Sequence, residues 1–470
     1  MRNCPPPLVA PLALFALLFF VYQLNLRQVS PDGRASKMVP ISILEDGDFD
    51  LDEFHLTEPG EGLPRFLVRR GAHVYDAYPP VASIVALPVY ALPVWLGIPA
   101  NPGLLGDVAS KVAASAMAGA SAVALWLALL SLGHSTRVAW FVCVAYGLGT
   151  SVWSTASQGL WAHSPAVLAF AVGIWLESRG RSASGLAALA VGGVSRPVML
   201  LLLPVWLAAV AGRPRPGAPG ESMASWARRA ARTALPAAVM VLAGLGYNVW
   251  LTGSPTGTAE QRNAFWTGVF GARSMWDGNF VEGATGLLVS PSRGLLVYSP
   301  IVLLALIGIW RIWRKPAPYT DPRHVRLVRA ASAACVIGYL AYSQYLMWWA
   351  GHAYGPRYLT DIMPFMGVLM ALGLETPVRG RSPAPPPRQR VPWGWLVLAV
   401  YSIAVQAIGA FCWPSAREGR TDLQYYGNLW DWRRTQIVSC LETGPRFDPV
   451  GVRLLARLGI HAQARPQERD

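Results

Sequence analysis

Apolar residues in this chain come in long runs separated by short polar blocks, not in the alternating or helical stripes of a water-soluble core. The first run, PLVAPLALFALLFFVYQL at residues 7–24, is long enough to cross a hydrocarbon layer of ~30 Å, which takes ~20 helical residues. With that first span taken as 8–26, comparable runs cover 108–131, 138–155, 162–178, 184–211, 233–251, 295–312, 330–348, 358–375 and 394–412. A cleaved signal peptide has a shorter apolar region ending at a small-residue site. This run continues into NLRQVSPDGR and reads as an uncleaved span. VASIVALPVYALPVWLGI, residues 81–98, is also apolar but contains two prolines, and the run at 184–211 is interrupted by Arg196 and Pro197.

The polar blocks orient the spans. Arginine-rich stretches lie near Arg179 and at 212–232, 311–329 and 378–390, and the positive-inside rule assigns all of them to the cytoplasm. With the amino terminus inside, parity then allows either a juxtamembrane helix at 81–98 with a broken pair of short helices at 184–211, or the converse. Both give about 11 crossings. The first is preferred because Pro197 disfavours helix at Arg196, and a charge within a span needs a protein-lined or wet place. The predicted fold is an all-α polytopic membrane protein with a transmembrane domain at 1–412 and an extracytoplasmic tail at 413–470. The large outer segments within that domain are 27–80, which leads into the juxtamembrane helix at 81–98, and 252–294.

Composition agrees with this pattern: of 470 residues, 53% are hydrophobic and only 14% charged, which is too little polarity to clothe a soluble protein of this size. The net charge of +14 does not indicate a nucleic-acid partner, because the arginines are dispersed in short blocks and form no basic domain. No repeat of fixed period is present, and SPAPPPRQRVP at 382–392 is a Pro-rich connector. Cys4 is assigned to the cytoplasm and Cys143 and Cys335 to spans. Only Cys412 and Cys440 share the outer side, where a disulfide forms if they meet. No zinc-ligand spacing occurs.

Candidate chemistry lies on the outer side. Asp32, in VSPDGR, opens segment 34–44, whose Met38, Ile41 and Leu44 fall on one side as in an interfacial helix; an Asp there can equally be a simple N-cap. The stretch EDGDFDLDE, 45–53, puts six carboxylates into nine residues. On an extended chain Asp46, Asp48, Asp50 and Asp52 face one way and Phe49 and Leu51 the other. An EF-hand loop counted from Asp46 would need Gly and Glu where Leu51 and Thr57 stand, so that reading fails. The run reads as a solvated loop edge, with a weak divalent-cation site near Asp46 and Asp48 as the alternative; no cofactor is expected. Tyr78-Pro79-Pro80 forces an extended entry into the helix at 81–98.

Arg196, flanked by apolar residues, carries an insertion cost of at least ~2.5 kcal/mol, which calls for a charge partner or a cavity. Arg293, in SPSRGLL, and Arg357, in YGPRYL, sit at the outer mouths of spans, the side that the positive-inside rule disfavours. A guanidinium forks onto phosphate oxygens bidentately, so several around one pocket would hold a phosphate; lipid headgroup contact is the alternative for either one singly. His163, in WAHSPAV, and His352, in AGHAYGPR, are further candidate binding groups, with packed histidine as the alternative.

Taken in order, these features resemble the GT-C membrane glycosyltransferases, particularly protein O-mannosyltransferases and lipid A aminoarabinose transferases. The shared set is an Asp directly after the first span, an amphipathic segment, and an aromatic-Pro-Pro entry into a juxtamembrane helix. YNVWLTGSP, SPSRGLLVYSP and YGPRYLTDIMPF are similar to uncharacterised bacterial members, and the resemblance runs to about residue 375. It implies a mannosyltransferase-like enzyme of the bacterial inner membrane, its active site facing out, with a polyprenyl-phosphate sugar as donor. Membrane lipids surround it, and a glycan, lipid or protein is the acceptor. Asp32 matches the position that acts on the acceptor, here as general base of an inverting displacement. Arg196, Arg293 and Arg357 are then expected at the donor phosphate, and Tyr78, His163 and His352 at the substrates. Two positions depart from the pattern: Gly33 stands where an acidic residue often follows the Asp, and Tyr78 where a basic residue or His often precedes Pro-Pro. A transporter or flippase for a lipid-linked saccharide would need the cations but no interfacial carboxylate. An outer-saccharide polymerase or ligase would use His163 or His352 as base.

Overall fold

The computed structural model describes residues 9–26, 33–56, 62–98, 104–211, 222–314, 319–351, 353–376, 391–412, 426–444 and 449–450. Asp32 and His352 lie outside these residues, as does most of the tail from 413.

After α1 (Val9–Tyr22) come two short helices, α2 (Gly33–Ser36) and α3 (Val39–Glu45), where the sequence predicted one. Pro40 occupies the first turn of α3, where its missing N–H costs nothing, so the helix restarts there. The predicted face survives, with Met38 and Ile41 buried and Leu44 half-buried. The acidic run is not an extended strand. Gly47, at φ 81°, turns the chain just after α3, and Asp52–Phe54 coils into a 3-10 turn. The carboxylates that gather are therefore not Asp46 and Asp48. Asp50 and Asp52 meet His73, whose Nδ1 lies 2.7 Å from Asp52 Oδ2 and 3.5 Å from Asp50 Oδ2. This pairing sits at the edge of the hairpin β1 (Leu67–Arg70) and β2 (His73–Asp76).

The helices that follow are α4 (Val81–Trp95), α5 (Leu104–Ser131), α6 (Thr136–Leu148), α7 (His163–Ser178), α8 (Ser182–Ser195) and α9 (Leu202–Ala211). Between α8 and α9 the chain breaks at Arg196, with φ −129° and ψ 84°, and passes through a 3-10 segment at Pro197–Leu201. The predicted interruption at Arg196-Pro197 is thus present. Next come α10 (Met223–Thr252), α11 (Ala259–Phe270), α12 (Phe280–Val289), α13 (Leu295–Tyr298) and α14 (Leu303–Trp313). The last are α15 (Pro322–Gln344), α16 (Met363–Leu374), α17 (Trp393–Phe411) and α18 (Gln436–Thr443).

Among the described residues, five helical stretches are long and apolar enough to cross a membrane: Leu105–Ser131, Met223–Thr252, Pro322–Gln344, Arg357–Leu374 and Trp393–Phe411. Shorter apolar helices accompany them, and the expected total of about 11 crossings rests on the sequence pattern. On α10, Leu235, Val239 and Leu242 are 62%, 49% and 66% exposed, a surface suited to lipid and not to water. This is a multi-pass membrane protein.

The buried core brings α5, α6, α7, α15 and α16 together. Close backbone approach at small residues does much of the joining. A Cβ at Gly308 of α14 would lie 2.0 Å from the Leu369 carbonyl oxygen, and one at Gly373 of α16 would lie 2.1 Å from that of Leu304. Only glycine permits this contact, in which dispersion stands in for the hydrophobic effect that lipid cannot supply. Cys412 and Cys440 are joined by a disulfide that ties the end of α17 to α18.

Candidate active site

The most concentrated buried chemistry lies where α7, the α8–α9 break, α15 and the segment before α16 converge. Arg357–Ile362 forms a 3-10 stretch leading into α16, and within it Asp361 has no exposed surface. Asp361 Oδ1 accepts from His163 Nδ1 at 2.7 Å, and Oδ2 accepts from Arg196 Nε at 2.7 Å and from the Tyr342 hydroxyl. Arg196 Nη2 also donates to the Tyr342 hydroxyl at 3.1 Å. The mid-run cation predicted to need a partner has one: a carboxylate within the apolar run 358–375.

Around this network the aromatic rings are ordered. Tyr342 and Tyr358 stack with centroids 4.8 Å apart, and the Arg196 guanidinium lies 5.5 Å from the Tyr358 ring. Arg357 lies 5.5 Å from the same Tyr358 ring and 4.8 Å from that of Trp161, which meets His163 edge-on. Two guanidinium groups therefore share one aromatic neighbour, and among the described residues Asp361 is the carboxylate that joins Arg196 to His163. A guanidinium offers a phosphate two parallel N–H bonds.

The first outer segment reaches the same place. A Cβ on Gly33 would stand 2.8 Å from the Leu160 carbonyl oxygen, so the chain immediately after Asp32 abuts the turn that presents Trp161 and His163. That turn hangs from α5. Ser110 Oγ accepts from the Leu160 N–H at 2.8 Å, and the buried Lys111 ammonium donates to the Ser157 carbonyl at 3.0 Å and to Gln158 Oε1 at 3.1 Å. α5 also holds the first outer segment, through Lys37 and Asp107 at 2.6 Å. Asp76 secures its other flank, accepting from Ser36 Oγ at 2.6 Å and from the Tyr78 N–H at 3.0 Å. The contact also explains why Gly33 departs from the acidic residue of the resembling family: any side chain would overlap a backbone oxygen that cannot swing away. We therefore predict that Gly33→Ala destabilises the fold by about 1–3 kcal/mol, although helix propensity alone favours Ala. Thermal unfolding in detergent checks this, and a wild-type midpoint would contradict it.

Of the residues the sequence singled out, Arg196, Arg357 and His163 are thus brought together. Tyr78 is half-buried in the first outer segment, tied to Asp76 by its backbone. The Arg293 guanidinium is fully buried and donates to the carbonyl oxygens of Trp349 at 2.8 Å and Gly351 at 3.1 Å, so it braces the loop leading to Arg357. Sequence reasoning passed over Asp361 and Tyr342. The signal for Asp361 was present: a lone acid inside an apolar run is as costly as a lone arginine, and each predicts the other.

No family model matches the sequence, and no curated protein matches it. Among solved structures, the chain is similar to ArnT from Cupriavidus metallidurans bound to undecaprenyl phosphate, with 18% identity and a TM-score of 0.45 over 78% of this chain and 60% of that one. The apo state of the same protein gives a TM-score of 0.42 over 78% of this chain and 59% of that one. The chain thus spans about three-fifths of the length of the solved chains it is similar to.

Proposed function

We propose that the protein is an integral-membrane glycosyltransferase that moves a sugar from a polyprenyl-phosphate donor to an acceptor on the outer side of the bacterial inner membrane. The observation that carries this reading is the convergence of Arg196 and Arg357 on one Tyr358 ring, beside the turn that touches Gly33. It supports the reading because two guanidinium groups stand near the segment in which the sequence supplies Asp32.

In the proposed reaction, Asp32 takes the proton from the acceptor hydroxyl as its oxygen attacks the anomeric carbon from the face opposite the phosphate. The bond from that carbon to the phosphate oxygen breaks, and its electron pair leaves with the polyprenyl phosphate. The configuration inverts, and the proton remains on Asp32. Because phosphate leaves as a stable anion, no acid catalyst is needed. Arg357 and Arg196 meet the growing charge, and one such preorganised donor is worth ~3 kcal/mol in the transition state. Asp361 fixes the Arg196 fork, and His163 and Tyr342 complete the hydrogen bonding of that carboxylate.

The test uses undecaprenyl phosphate and the full chain in lipid nanodiscs. Arg357→Ala is expected to weaken binding by roughly 10–100-fold, the equivalent of a lost charge-assisted hydrogen bond, with Arg357→Lys between the two. Unchanged binding in Arg357→Ala would sink the donor assignment. Lipid transport across the bilayer without sugar transfer would favour the flippase reading instead.

A further inference from the structure

An opening lined by none of the residues of the Arg196 network lies between the second outer segment and the tail. It is a cavity of about 520 Å³ lined by Phe270, Arg273, Asp277, Glu282, Trp348 and Tyr426, among others. We infer that this cavity binds an uncharged saccharide, the sugar end of the acceptor. Its standing as acceptor rests on the glycosyl-transfer reading above; the binding itself does not.

Three features select this ligand class. The first is an aromatic wall: Phe270, Trp348 and Tyr426 line the cavity, Phe270 and Tyr426 with centroids 5.1 Å apart, and the buried Trp349 packs behind Tyr426 at 4.6 Å. Phe270 keeps 38% of its surface open. The C–H faces of a sugar ring lie flat on such rings, whereas their hydroxyls need polar partners at the edge. The second feature is a carboxylate fixed at that edge. Glu282 Oε1 accepts from the Trp348 indole N–H at 3.3 Å and the Tyr426 hydroxyl at 3.1 Å. Asp277, also at the rim, is held by the backbone N–H groups of Arg273 at 2.7 Å and Ser274 at 3.1 Å. Carboxylates that do not move are what vicinal hydroxyls donate to. The mixture of aromatic surface with a few placed polar groups is that of a small-molecule site.

The third feature is charge. Among the described lining residues two carboxylates stand beside one guanidinium, which disfavours phosphates and uronic acids. Burial and the Glu282 carboxylate push the Tyr426 phenol up to about 12, so it remains a donor at neutral pH. A lipid tail is disfavoured by the same carboxylates, which would lose their hydration without gaining a donor.

Saturation-transfer NMR on the full chain in nanodiscs tests this with maltotriose, mannotriose and chitotriose as neutral probes and glucose 6-phosphate as the anionic one. We expect at least one neutral trisaccharide to bind and glucose 6-phosphate not to. Phe270→Ala and Glu282→Gln should each weaken the bound trisaccharide tenfold or more while the thermal midpoint and undecaprenyl phosphate binding stay at wild-type values. Glu282→Gln, which preserves size, decides the matter where Phe270→Ala loses stability. The inference is overturned if no neutral trisaccharide binds, if the phosphate sugar binds as well as the neutral ones, or if Glu282→Gln binds like the wild type. Saccharide binding without any undecaprenyl phosphate binding would leave the cavity assignment standing and remove the donor assignment.

Discussion

Replacing Asp361 with asparagine is expected to cost about 3–5 kcal/mol of stability, because it strands the buried Arg196 guanidinium without its counter-ion. The side chain of Arg196 keeps only 17% of its surface open and that of Asp361 none, so water can take over only part of the lost charge. Asparagine retains the shape and one acceptor oxygen. The loss therefore measures charge and not packing. Against a typical total of ~5–15 kcal/mol this is severe, and thermal or denaturant unfolding in detergent should reveal it. The double variant Arg196→Met with Asp361→Asn separates two roles of the network. Removing both charges should recover much of the stability, because a buried pair is often no more stabilising than apolar residues of similar size. Donor binding should not recover, since the fork aimed at phosphate is gone. A single Asp361→Asn variant as stable as the wild type would show that the pair is not buried as described.

Asp32→Asn is expected to lower the rate of sugar transfer by about 10²–10⁴-fold, the usual worth of a general base, and to leave undecaprenyl phosphate binding unchanged. The asparagine cannot accept the acceptor's proton but keeps its size. Transfer assayed in membranes supplied with polyprenyl-phosphate sugar gives the rate. Full transfer by Asp32→Asn together with none by Arg357→Ala would remove Asp32 as base. His163 would then be the next candidate, with its Nδ1 already engaged by Asp361.

The features legible in the sequence are those that depend on local composition. Apolar runs located most of the long helices, and Arg196-Pro197 marked a real break because proline restricts the preceding residue whatever surrounds it. Cys412 and Cys440 were recognised as able to pair, since compartment alone excluded the others. What stayed hidden depends on distant partners. Arg196 and Asp361 are 165 residues apart, and although each calls for an opposite charge, no local pattern says where along the chain that charge stands. The loop carbonyls that accept from Arg293 were hidden in the same way, because no local pattern announces them. The acidic run misled in a simpler way. Its period of two assumes an extended chain, and Gly47 turns the backbone before a strand can begin.

The central claim is that two arginines from separate helices and the carboxylate after the first span face one anionic lipid head. An experimental structure of the full chain with undecaprenyl phosphate in nanodiscs tests it most directly. We predict phosphate oxygens within ~3 Å of the Arg357 and Arg196 guanidinium groups, with the Asp32 carboxylate opening onto the same cavity. A phosphate bound elsewhere, or an Asp32 side chain turned away with protein packed between, would contradict the account.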